Sequence, residues 1–286
     1  MGQIKNGMGT SHIPALGAAI DQKKQDEDYW KPVFKGLIPV RDWYKNNLPD
    51  VVVIIYNDHA SAFSLNHIST FTVGVSDNFM PADEGYGPRN IPTIFGYPEL
   101  AWHIVEELVL NEFDISICNE MPVDHGLTVP LSVAFDRPLK WPVKVIPLCV
   151  NVIQYPQPTA KRCFKLGRAL KHAIESFDHD INVMIWGTGG LSHQLQGERA
   201  GLINSKFDTE FLDNLVSNPL KNNQLTHTQF MREAGSEGIE MIMWNVMRGS
   251  LSQRVEELYR FYHVPVSNTA YGVQLLTNLS LEKNDK

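Results

Sequence analysis

Only three cysteines, Cys118, Cys149 and Cys163, occur in 286 residues, and no two are spaced as CxxC. That odd, scattered set argues against a disulfide framework or a thiolate zinc site and fits reduced thiols in a cytoplasm. No apolar run approaches the roughly 18 residues a membrane span needs. The N-terminal MGQIKNGMGT has no apolar stretch behind a positive region, so no secretory leader is expected. Dense positive charge is missing too. Lys and Arg total 25 against 32 Asp and Glu, a formal net charge of −7, which argues against a nucleic-acid partner held through its phosphates. Internal repeats, low-complexity tracts and a dividing linker are absent, so one domain over residues 1–286 is expected. Short-spaced metal motifs such as HExxH are absent as well.

What is present is a chain that is 43% hydrophobic, enough for a sizeable core. Continuous apolar runs predict strands over Gln3–Met8, Val51–Tyr56, Ser69–Val75, Asp114–Asn119, Val143–Val150 and Ile181–Trp186. Helices are predicted between them, at Tyr97–Asn111 by spacings of three and four, and at Thr159–Phe177 behind a threonine cap. Alternating strands and helices imply an α/β fold, a single domain with a mostly parallel central sheet flanked by helices. The proline- and glycine-bearing segment from Phe79 to Gly96 reads as a long loop, a length uncommon without a function.

The run VVVIIY ends at once in Asn57, Asp58 and His59. The carboxyl ends of strands in such sheets are where ligands bind, so His59 stands where chemistry usually stands. Three further histidines follow strands or sit in turn-like segments: His12 in TSHIP, His125 in VDHGLTVP and His193 in WGTGGLSHQLQG. In SEGIEMIMWNVMRG, with Ser236 as a plausible N-cap, Glu240 lies among apolar residues and needs a cationic partner if buried. Two imidazoles and a carboxylate suit a non-haem Fe(II) centre, and equally a catalytic zinc. The residues alone leave that choice open, along with the choice of ligands among ten histidines. GTGGLSH lacks the last glycine of GxGxxG and the lysine of a phosphate-binding loop, so it reads as a tight turn near a ligand.

The blocks GTSHIPALGAAI, YNDHASAF, DEGYGPR, VDHGLTVPL, WGTGGLSHQLQGERAGLIN, GSEGIEMIMW and HVPVSNTAYG run in order from about residue 7 to residue 275. Together they resemble the catalytic β subunits of the LigB-type extradiol ring-cleaving dioxygenases. The resemblance implies that His12, His59 and Glu240 hold one Fe(II), with His193 as acid/base residue beside it. It implies His125 as a second catalytic and substrate-facing residue. Asn57 would line the metal pocket, and Ser267 and Asn268 would meet the substrate carboxylate. The implied activity is oxygen-dependent opening of a carboxylated catechol in aromatic, lignin-derived catabolism. Protocatechuate 4,5-cleavage to 4-carboxy-2-hydroxymuconate semialdehyde is expected first, and gallate cleavage second. The implied partner is a small helical α subunit in an α2β2 assembly, since no such subunit is part of this sequence. The aromatic stretch from Asp26 to Pro49, with Tyr29, Trp30, Phe34, Trp43 and Tyr44, is the expected interface.

Overall fold

The run VVVIIY becomes a fully buried strand near the middle of an eight-stranded sheet in a computed structural model, which describes residues 1–279. In chain order the strands are β1 (Gln3–Thr10), β2 (Val51–Tyr56), β3 (Phe71–Gly74), β4 (Asn78–Phe79), β5 (Ile94–Phe95), β6 (Ser116–Cys118), β7 (Lys144–Val150), β8 (Asn182–Thr188), β9 (Val255–Val266) and β10 (Thr269–Asn278). The large sheet has the order β6-β3-β7-β2-β8-β1-β10-β9, while β4 and β5 form a separate two-stranded ribbon. The pairs β7–β2, β2–β8, β8–β1 and β3–β6 are parallel; β3–β7, β1–β10 and β10–β9 are antiparallel. The sheet is mostly parallel at its centre, as the alternation predicts.

Nine α-helices accompany the strands among the described residues: α1 (Pro14–Asp21), α2 (Lys31–Tyr44), α3 (Pro98–Leu110), α4 (His125–Phe135), α5 (Ala160–Ser176), α6 (Ser205–Ser217), α7 (Pro219–Asn223), α8 (His227–Ala234) and α9 (Ile242–Ser250). Side chains alternate across a strand, so β2 feeds two cores. Val51, Val53 and Ile55 pack with residues of α3, α5 and α9. Val52, Ile54 and Tyr56 pack with residues of α1, α2 and α4. This double coverage is why the strand reads as an unbroken apolar run. None of these helices is long and apolar enough to cross a membrane.

Several expectations change. The C-terminal hairpin β9–β10 is a pair of long strands that no apolar run marks. Ser236 does not cap a helix: its hydroxyl bonds Glu237, and a 3-10 turn (Glu237–Met241) precedes α9. The 79–96 segment is a loop for most of its length, pinned by the β4–β5 ribbon at its ends. The aromatics of the 26–49 stretch, in α2 and just before it, mostly turn to the core. Trp30 and Tyr44 are buried, Phe34 and Trp43 are partly buried against the same core, and Tyr29 is the aromatic left exposed.

Candidate functional site

β1, β2 and β8 run parallel and side by side, so their carboxyl ends lie together. His12 follows β1 and His59 follows β2. Thr188 ends β8 and leads into the turn of Gly189 to His193. Gly189 has φ +117°, a conformation glycine adopts without penalty, and a Cβ there would lie 2.8 Å from the Glu240 side chain. That close approach seats the turn on the segment carrying Glu240.

Three imidazoles surround one carboxylate, and a fourth, His125, stands beside two of them. Glu240 Oε2 lies 3.3 Å from His12 Nε2 and 3.9 Å from His193 Nε2, and Glu240 Oε1 lies 3.7 Å from His59 Nε2. The backbone N–H of Gly190 donates to Glu240 Oε2 at 2.7 Å. Glu240 is 6% exposed, His12 3% and His193 5%. One nitrogen each from His12, His59 and His125 also lie within 4.8 Å of one another. The rings of His59 and His125 stack with centroids 3.9 Å apart.

Each histidine is held by its Nδ1. His59 donates Nδ1–H to Asp124 Oδ2 at 2.9 Å, and its backbone N–H donates to the same oxygen at 2.6 Å. Asp124 Oδ1 meanwhile accepts from Gly126 N, capping α4. His193 must donate from Nδ1, because its partner at 2.7 Å is the Leu191 carbonyl, which only accepts. His12 Nδ1 pairs with the Thr188 hydroxyl at 3.0 Å. His125 Nδ1 pairs with Glu84. In all four rings Nε2 is left as the nitrogen available for chemistry.

The charges follow from this packing. Burial opposes ionisation of Glu240, yet His12, His59 and His193 outweigh it and hold the carboxyl well below the usual range. Burial likewise opposes the Asp124 charge, but the His59 hydrogen bond brings that carboxyl down to about 2. For His59 burial pulls down, while hydrogen bonds to Asp124 and Glu240 prevail and raise the imidazole to about 10. His12 is lowered by burial. Its Nε2 is buried with no hydrogen-bond partner and faces a carboxylate oxygen. A buried ring nitrogen without a hydrogen-bond partner, facing a carboxylate oxygen, is a place for a cation.

The turn carrying His193 has its own support. Buried Asp208 on α6 accepts from Ser192 N at 2.8 Å, Ser192 Oγ at 2.6 Å and Tyr262 Oη at 2.8 Å. Burial pushes the Asp208 carboxyl up. His193 also forms an isolated bridge with Thr269, next to Ser267 and Asn268 at the exposed tip of the β9–β10 hairpin. Both tip residues have positive φ, 50° and 59°. Asn57 is buried, with Nδ2 at 3.0 Å from His59 Nε2.

The structure therefore gathers His12, His59, His125, His193, Glu240 and Asn57 in one place and sets Ser267 and Asn268 on the hairpin beside it. Asp124, Glu84, Thr188 and Asp208 are the residues that sequence reasoning passed over. Asp124 precedes His125 and Glu84 lies in DEGYGPR, but nothing in either spacing says which histidine each carboxylate holds. The second acidic grouping, Glu84 with Asp124 and His125, is explained by these hydrogen bonds.

Comparisons with known proteins agree with the geometry. Residues 6–273 match the family described as the catalytic LigB subunit of aromatic ring-opening dioxygenase. A gallate dioxygenase of Pseudomonas putida is 44% identical over 197 residues, 69% of this chain and 58% of that protein. A 2,3-dihydroxyphenylpropionate/2,3-dihydroxicinnamic acid 1,2-dioxygenase of Photorhabdus laumondii is 32% identical over 185 residues, 64% of this chain and 54% of its own length. The chain thus spans little more than half of each of these relatives. A crystal structure of an uncharacterized Escherichia coli K12 protein shares the fold, with TM-score 0.59 at 12% identity, over 95% of this chain and 99% of that one.

Proposed function

This chain belongs to the LigB family of aromatic ring-opening dioxygenases, and from that premise we propose that it is an Fe(II)-dependent extradiol dioxygenase of carboxylated catechols. The observation that carries the metal is His12 Nε2, buried, unpartnered and 3.3 Å from a carboxylate oxygen. His12, His59 and Glu240 would hold the ion. A set of His12, His59 and His125 would leave the anionic Glu240 buried without its cation, which is costly. Two imidazoles and a carboxylate with open positions suit Fe(II) in oxygen chemistry. When bound, the ion supplies Lewis acidity and an electronic path between a chelated diol and dioxygen.

The chain's own groups then orient and move protons. His193, fixed by Leu191 with Nε2 facing Glu240, takes a proton from a substrate hydroxyl and returns it as the ring opens. His125 faces the same space and accepts a hydrogen bond from the diol. Asn57 lines the metal pocket. Ser267 and Asn268 offer polar groups to the ring carboxylate from the hairpin tip. The ring carbon–carbon bond breaks beside the diol, and both oxygen atoms enter the product.

Protocatechuate is the first substrate proposed, giving 4-carboxy-2-hydroxymuconate semialdehyde. Similarity to a gallate dioxygenase supports gallate as a second reading. Oxygen uptake by Fe(II)-loaded protein, with both acids side by side, tests the proposal; no uptake with either would sink it. A zinc hydrolase on the same ligands is less favoured, and metal content together with that uptake separates the two. A small helical α subunit in an α2β2 assembly is proposed to close the site. Its support is a set of exposed apolar groups on segments that carry or adjoin site residues, Leu65, Tyr86 and Leu195, with Tyr29, whose hydroxyl accepts from Ser267 N. A cytoplasmic setting is proposed as well, supported by three cysteines that are all free.

A further inference from the structure

The DEGYGPR segment has no part in the chemistry above, yet it is tied to the site at two points. Asp83 Oδ1 accepts from both Gly85 N and Gly87 N at 2.9 Å, folding the loop back on itself. Gly85 and Gly87 have φ +95° and +77°, and Tyr86 between them is 98% exposed. Beyond the tip, Arg89 makes a two-pronged pair with Asp21 at 2.9 Å and donates to Ser132 Oγ on α4. Before the tip, the Glu84 carboxylate reaches the first turn of the same helix. It accepts the His125 backbone N–H at 3.2 Å and the His125 Nδ1–H. The loop thus grips α4 at its start and again at Ser132.

A carboxylate on Nδ1 determines where the ring proton resides. Without it a neutral histidine distributes its proton between the two nitrogens, and its ring rotates more freely. His125 stacks on His59 and lies 5.5 Å from His12, centroid to centroid, so its free nitrogen borders the space the diol must enter. We propose that Glu84 is a positioning residue, fixing His125 as the Nδ1–H tautomer and leaving Nε2 as an acceptor for a substrate hydroxyl. The acceptor role rests on the dioxygenase reading; the tautomer lock does not. The helix start also favours a negative charge at this point, so Glu84 is held by the helix it helps to order.

The test uses Glu84→Ala and the isosteric Glu84→Gln in the full chain. Ring ¹⁵N shifts of His125 are read by NMR in the metal-free protein, and metal content and oxygen uptake are read after Fe(II) loading. The parent should show Nδ1–H alone. Glu84→Ala should show substantial Nε2–H and lose about 10- to 100-fold in kcat, the range typical of a lost carboxylate behind a functional histidine, while retaining its metal. Glu84→Gln, which keeps one acceptor, should fall between. A role confined to holding the loop would leave the tautomer unchanged. Two results would overturn the proposal: an Ala variant still wholly Nδ1–H, or one with a shifted tautomer and kcat within about twofold of the parent. A parent that consumes no oxygen fails the dioxygenase reading alone, and the tautomer measurement then decides the lock.

Discussion

Each of the four histidines is held through Nδ1, and what differs among them is the group behind that nitrogen: Thr188 for His12, Asp124 for His59, Glu84 for His125 and the Leu191 carbonyl for His193. The differences separate the residues experimentally. His12→Ala, His59→Ala and Glu240→Ala should each abolish metal retention, because three ligands leave no spare. Bound metal per chain after gel filtration checks this, and full retention in any one variant removes that residue from the set. Asp124→Asn keeps the size but loses the charge behind His59. It should weaken metal binding by roughly 10- to 100-fold, the usual effect of losing such a partner, as a competition titration with a chelator would read. His193→Ala should behave oppositely, keeping the metal while turnover drops by roughly 10²- to 10⁴-fold. Loss of metal from that variant would make His193 a ligand.

At the scale of elements, the site depends on how closely α9 lies against its neighbours, since Glu240 stands in the 3-10 turn that leads directly into that helix. A Cβ on Gly167 would stand 2.0 Å from the Val246 carbonyl oxygen, and one on Gly249 would stand 2.2 Å from that of Phe164. Both contacts are with backbone, which cannot move aside as a side chain would. Gly167→Ala or Gly249→Ala should therefore cost at least the ~1–3 kcal/mol usual for overpacking. Denaturant midpoints check this, and an unchanged midpoint would show that α5 and α9 are not in such close contact. The helices and central strands were legible because β2, β7 and β8 are buried on both faces and spell it out in unbroken apolar residues. Hairpin β9–β10 was not. Its outer strand, with Glu256, Glu257 and Arg260 among partly buried aromatics, has no periodicity that names an edge strand. The 3-10 turn at Glu240 escaped for a similar reason: Ser236 followed by an apolar run reads as a cap, and only the seat against Gly189 shows otherwise. Histidines after strands announced the site, whereas Asp124, Glu84 and Asp208 became visible only once their partners were placed.

For the whole molecule, the site lies at the open ends of a sheet, and the proposed oxygen chemistry requires that water be excluded from it. Of the aromatics in the 26–49 stretch, Trp30 and Tyr44 are committed to the core and Phe34 and Trp43 are partly buried against it, which leaves Tyr29 exposed for a partner. The exposed Tyr29, Leu65, Tyr86 and Leu195, on segments next to site residues, are the better candidates for that surface. Co-expression with a small helical partner should yield a hetero-oligomer with higher turnover than the isolated chain; equal turnover from a monodisperse, metal-loaded isolated chain would exclude the need for one. The central claim, a metal-dependent opening of a carboxylated catechol, is tested most directly by anaerobic reconstitution with Fe(II) followed by oxygen uptake with protocatechuate and gallate. The account predicts stoichiometric oxygen consumption with at least one of them, and none after Glu240→Ala. Iron-loaded protein that consumes no oxygen with either acid, with a partner supplied, would contradict it.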